Sequence, residues 1–125
     1  MTAVPRMSEA QWQDAVAEFA IVHGWRVAHF RPARTGSGGW ATPVRYNGVG
    51  FPDLVMAHAV HQVVVFVEVK SDSGRLSTDQ AAWADTLESV EEAANGPAEA
   101  AVRYFVWRPN NRDGVFAFLK DPHGR

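Results

Sequence analysis

The stretch Val63-Val64-Val65-Phe66-Val67-Glu68-Val69-Lys70 decides how this chain is read. Valine-rich sequence of this kind forms a strand, because β-branched side chains pack well on a pleated surface. Its unbroken apolar character marks a strand covered on both faces at the centre of a sheet. Residues two apart leave a strand on the same side, so Glu68 and Lys70 share one face while Val67 and Val69 share the other. A carboxylate and an ammonium on a central strand are costly to bury unless they are paired or used in chemistry. The plainer alternative is a solvent-facing ion pair on an edge strand.

Toward the amino terminus stands Gly50-Phe51-Pro52-Asp53. Pro52 to Ala57 reads as a short strand, and proline is permitted at a strand's first residue. If His58 to Gln62 turns the chain back, antiparallel pairing sets Asp53 opposite Glu68. Two carboxylates that close repel, and the repulsion is relieved by a shared proton or by a cation. The sequence has no cysteine, which excludes disulfides, thiol nucleophiles and thiolate metal sites. Carboxylates without thiolate or imidazole select hard ions such as Mg²⁺ or Mn²⁺, and the Val69 carbonyl is a third candidate ligand. Lys70 would stand beside the attacking water. Asp53, Glu68 and Lys70 are thus the parts needed to hydrolyse a phosphodiester.

Helices flank these strands. Ser8 with Gln11 three residues on is a capping-box pattern that starts a first helix, and His23-Gly24 ends it. Its apolar stripe is Trp12, Val16, Phe19, Ala20 and His23; Glu9 lies within roughly 60° of Trp12 and borders that stripe, whereas Glu18, at roughly 240°, faces solvent. Glu9 is a candidate catalytic acid or a first-turn acid that meets the helix dipole. Arg26 to Arg31 reads as a strand, followed by a long segment from Pro32 to Gly50, which includes Thr35-Gly36-Ser37-Gly38-Gly39. A structureless segment of that length is often functional. A second helix starts at Ser77 and runs to Ala94, before Asn95-Gly96-Pro97. Gln80 sits on its apolar face with Trp83, Ala84 and Leu87, and either closes a capping box with Ser77 or serves the acids, or both. Val102 to Trp107 reads as another buried strand, Arg108-Pro109 breaks it, and Asp113-Gly114 marks a turn. Val115 to Leu119 is short and is compatible with strand or helix. Trp83 and Trp107 read as core, and Glu88 to Glu92 as a solvated face. The order α, β, β, β, α, β predicts an α/β fold, a mixed sheet with helices packed on it.

At 125 residues, with 46% hydrophobic and 21% charged residues, the chain has the size and composition of a single globular domain spanning 1–125. No apolar stretch approaches the roughly 20 residues that cross a bilayer, and the amino terminus lacks a signal peptide's apolar run, so a cytoplasmic protein with no membrane partner is expected. The net charge of −2 is not the footprint of a general nucleic-acid binder. Between Arg26 and Arg75, however, six basic residues face three acidic ones. Arg31, Arg34, Arg45 and Arg75 are candidate phosphate contacts, with loop solubilisation the alternative, and His29 is a further candidate, although a histidine in a strand is more often packed.

These residues resemble a known pattern. Asp53 after Pro52, followed by Glu68-Val69-Lys70, is similar to the PD-(D/E)xK nuclease superfamily. Ser8-Glu9, the stretch Gly24-Trp25-Arg26-Val27-Ala28-His29, then Gly50-Phe51-Pro52-Asp53-Leu54, Gly74-Arg75-Leu76-Ser77-Thr78-Asp79-Gln80 and Val106-Trp107-Arg108-Pro109 resemble its VRR-NUC branch over nearly the whole chain. The resemblance implies a restriction-endonuclease-like fold, dependence on Mg²⁺ or Mn²⁺, and cleavage of DNA. It also implies similarity to stand-alone phage proteins and to Holliday-junction resolvases, which act as homodimers on branched DNA. By motif, Glu9 matches the helix-one acid, Asp53 and Glu68 the metal ligands, Lys70 the catalytic lysine and Gln80 the helix-two glutamine. The segment after Trp107-Arg108-Pro109 departs from the family in being abbreviated. A restriction-type or nicking enzyme, and a nucleic-acid binding module that does not cut, are the alternatives; so short a chain has little surface for reading base edges, which ranks the first of these lower.

Overall fold

The computed structural model describes residues 6–30, 33–34, 40–41, 45–94 and 101–124, with 33–34 and 40–41 as backbone only. Helix α1 spans Glu9–Val22, strand β1 Arg26–His29, β2 Ala33–Arg34, β3 Trp40–Ala41, β4 Leu54–His58, β5 Val63–Val69, helix α2 Thr78–Ala94, β6 Ala101–Trp107 and helix α3 Arg112–Lys120. The main sheet runs β1-β4-β5-β6. β1 and β5 pair antiparallel with β4, and β6 pairs parallel with β5. The result is an α/β fold with a mixed four-stranded sheet flanked by helices, consistent with the restriction-endonuclease-like expectation. Arg31 and the glycine-rich residues 35–39 lie outside the described residues. The long segment read as structureless contains the short ribbon of β2 and β3.

Helix α1 begins as its capping box requires: the Ser8 hydroxyl accepts from the Gln11 N–H at 3.1 Å, and Gln11 Oε1 accepts from the Ser8 N–H at 2.9 Å. His23 caps its carboxyl end, and Gly24 follows at φ +89. Trp12, Val16 and Ala20 are buried against one face of the sheet, where Val63, Val65, Val67 and Val69 meet them together with Trp25, Leu54, Met56, Trp107, Val115 and Leu119. The opposite face carries α2 on a smaller cluster of Ala84, Leu87 and Tyr104, with Phe66, Leu76, Trp83 and Val106 at its margin. β5 is therefore covered on both sides, as its valines require.

Four boundaries and environments depart from expectation. β4 starts at Leu54, two residues after Pro52, because the ladder needs donors that proline lacks. β6 is an edge strand with only Tyr104 and Trp107 buried. Asp113 and Gly114 do not form a turn: they lie in the first turn of α3, whose Val115 and Leu119 are buried and whose Phe116 stacks on Phe19 at 4.1 Å. Glu91, within the run read as a solvated face, is half-buried: it accepts from the Tyr104 N–H of the edge strand and lies 3.6 Å from Arg103 Nε. A carboxylate on an edge N–H also blunts that edge against further strand pairing.

Candidate active site

The β4–β5 ladder pairs Leu54 with Val67, which places the next positions, Asp53 and Glu68, opposite one another. Asp53 Oδ2 accepts from the Val69 N–H at 2.9 Å. Lys70 N–H bonds sideways to the Trp107 carbonyl at 3.1 Å, so the intervening Val69 peptide groups face the β4 side, where Asp53 stands. Glu68 is buried, 1% exposed, and within hydrogen-bonding reach of the Asp53 carboxyl. Burial first, and the Asp53 charge second, push its carboxyl up to about 8; Glu9 adds to the rise and Lys70 opposes it. Lys70 Nζ lies 3.7 Å from Glu68 Oε1.

Gln80 joins this group from α2. Its Nε2 donates to Glu68 Oε1 at 3.0 Å, while its Oε1 accepts from the Ser77 N–H at 2.8 Å and its own N–H is held by the Ser77 hydroxyl at 3.1 Å. One amide thus closes the capping box and orients the buried acid, since its donor and acceptor ends are separate. Gly50 brings α2 close to the approach of Asp53. Its φ is +84, and a Cβ there would meet the Asp79 backbone at 2.5 Å, so only glycine allows this contact.

Glu9 is exposed at the start of α1, and its charge reaches Glu68. His29, also exposed, contacts the Gln13 amide of α1 at 2.8 Å. Arg45 and Arg75 are exposed on loops, and Arg34 is described only as backbone in β2. The structure therefore gathers Asp53, Glu68, Lys70 and Gln80 around one point with Glu9 at its electrostatic edge. Among the described side chains, neither Arg45 nor Arg75 joins them.

Two supports had no signal in the sequence beyond the Trp-Arg-Pro motif. The Trp107 carbonyl accepts from the Trp12 indole N–H at 3.0 Å as well as from Lys70. Arg108 Nη1 donates to the carbonyls of Ser71 at 2.8 Å and Gly74 at 2.6 Å, and Asp72 Oδ1 accepts from the Asn110 N–H at 2.8 Å. Their partners lie more than 30 residues away, so local pattern could not show them.

Among the described residues no three carboxylate or imidazole groups form a ready-made metal cage. Two adjacent carboxyls, one of them raised in proton affinity by burial and by its neighbour's charge, nevertheless fit a hard divalent ion, which keeps several waters and needs few protein oxygens. Among the described residues no helix is long and apolar enough to cross a membrane.

Neither a curated protein nor a solved structure matches the chain. The VRR-NUC domain family matches residues 33–102, more than half of the chain, and that span includes Asp53, Glu68, Lys70 and Gln80. With this match on a mixed sheet that gathers an acid pair, a lysine and a glutamine, the chain belongs to the VRR-NUC family of PD-(D/E)xK nuclease-like domains, whose nuclease function implies DNA as the substrate.

Proposed function

We propose that the protein is a metal-dependent DNA endonuclease that selects DNA by structure, branched and four-way junctions included, and that it works as a homodimer. The observation that carries the reading is the buried Glu68 carboxyl facing Asp53, with Lys70 and Gln80 both on its Oε1. Mg²⁺ or Mn²⁺ held by Asp53, Glu68 and the Val69 carbonyl would supply the positive charge that binds the phosphate and acidifies the attacking water.

The remaining roles belong to the chain's own side chains. Lys70 extends its ammonium beside Glu68, where it orients the water and stabilises negative charge as that oxygen attacks phosphorus and the ester P–O bond breaks. Gln80 fixes the Glu68 carboxyl, so the acid does not reorganise during the reaction. Glu9 adds a negative charge at the edge of the same point. His29, Arg31, Arg34, Arg45 and Arg75 would take phosphates along the duplex arms. Closed twofold symmetry, the commonest assembly, supports a dimer with two sites for paired strands.

The test is direct. Purified protein with labelled four-way junction, flap and linear duplex, in Mg²⁺ or Mn²⁺, is expected to cut the branched substrates; Asp53→Ala and Lys70→Ala are expected to lose about 100-fold or more of the rate. Cutting that survives both substitutions rejects this site.

A further inference from the structure

Tyr46 is 95% exposed, the most exposed of the large apolar side chains among the described residues. A single exposed aromatic is ordinary on a protein surface. Three features set this one apart. Its backbone has φ +60, a left-handed conformation that a bulky residue adopts at a cost and that functional sites tend to retain. The turn that presents it is tied down: the Gly48 N–H bonds to the Arg45 carbonyl and the Phe51 N–H to the Gly48 carbonyl, each at 3.1 Å, and the Trp83 indole N–H donates to the Asn47 carbonyl at 2.9 Å. The anchor is also close to the acids. Trp83 follows Gln80 by three residues, about 4.5 Å along α2, and Gln80 holds Glu68. Phe51, which packs edge-on to Trp83 at 5.0 Å and to Phe30 at 5.5 Å, continues into Pro52 and Asp53.

We propose that the turn of residues 45–49 is a DNA-contact element in which the Tyr46 ring stacks on an unpaired base while Arg45 beside it takes a phosphate. An aromatic platform binds a base through its π-face. In continuous duplex both faces of each base are covered by its neighbours. The contact is therefore open only to a base at a branch, a single-stranded arm or an end, and Tyr46 becomes a specificity determinant for such DNA. The turn's fixed geometry means that little is lost in ordering it on binding. This inference rests on the nuclease reading for the identity of its ligand, and it deepens that reading by naming what separates branched from linear substrate.

The experiment measures binding without cleavage. Fluorescence anisotropy in EDTA, with a splayed fork, a four-way junction and an uninterrupted duplex of equal length, compares wild type with Tyr46→Ala, Tyr46→Trp and Arg45→Ala; a 2-aminopurine base at the fork reports stacking. Tyr46→Ala is expected to weaken fork binding about 10- to 100-fold, to leave duplex binding nearly unchanged, and to abolish the quenching of 2-aminopurine. Tyr46→Trp is expected to restore both. The slope of log affinity against log salt should stay the same in Tyr46→Ala and fall by about 0.7 to 0.9 in Arg45→Ala, since only the latter removes a phosphate contact. Equal affinities of wild type and Tyr46→Ala for all three DNAs overturn the proposal, as does an equal loss on fork and duplex. Cutting by wild type in Mn²⁺ is scored separately: a fork bound through Tyr46 but never cut would count against the nuclease reading and leave this contact standing.

Discussion

A carboxyl group that is 1% exposed and faces a second carboxyl does not ionise at its ordinary pH. For Glu68 the consequence has a sign. Between its usual value of 4.5 and about 8 the folded protein keeps a proton that the unfolded chain has released, so stability falls as pH rises through this window. In metal-free buffer the melting temperature is therefore expected to drop by several degrees from about pH 5 to pH 8, and Glu68→Gln to remove most of that drop. The same slope in the variant would assign it to another group. A divalent ion would replace the proton, so Mn²⁺ affinity by calorimetry should strengthen with pH up to about 8. At this scale the sequence was informative: alternation along β5 put Glu68 and Lys70 on one face, and the length of the β4–β5 hairpin put Asp53 opposite Glu68. Gln80 was left between two roles, and in the folded arrangement its amide bonds both to the Ser77 N–H and to Glu68, because α2 begins beside the acids.

Among the elements, the end of β5 is held from three directions. Asp53, just before β4, accepts from the Val69 N–H, β6 supplies the Trp107 carbonyl to Lys70, and Arg108 ties the loop after Lys70 through Ser71 and Gly74. Hydrogen bonds from a charged group are worth about 1.5–3 kcal/mol each, so removing the guanidinium should loosen this loop well before it unfolds the sheet. Arg108→Ala is expected to lower kcat about tenfold or more with little change in KM, as befits a residue that positions Lys70 rather than binding DNA. A loss confined to KM would instead make Arg108 a DNA contact. Helix α3 begins where a turn is expected. Asp113 and Gly114 are turn residues by local chemistry, yet they are helical because Val115 and Leu119 have a core to enter and Asp113 suits a helix amino terminus. Gly114 permits close approach of Asn111, whose Oδ1 would lie 2.6 Å from a Cβ.

Over the whole molecule the two sides of the sheet are unequal. The α1 and α3 side buries three tryptophans with aliphatic residues from β4 and β5, while the α2 side rests on Ala84, Leu87 and Tyr104. Hydrophobic burial scales with area, so α2 is the element expected to open first. Native-state hydrogen exchange should find the slowest amides in β5 and distinctly faster exchange in residues 88–94 of α2; equal protection in both would show that the molecule opens only as one unit. Because Gln80 lies at the other end of α2, fixed by Ser77 and Glu68, such fraying leaves the acids in place. Side-chain periodicity and hairpin length, which are properties of neighbours along the chain, were enough to set the order of the main-sheet strands and the first two helices, the burial of β5 and the pairing of Asp53 with Glu68. Long-range packing settled the edge position of β6, the helical state of residues 112–120, the grip of Arg108 on residues 71 and 74, and the elevated proton affinity of Glu68. Each of these depends on groups distant in sequence that meet only when the sheet is covered and water is excluded.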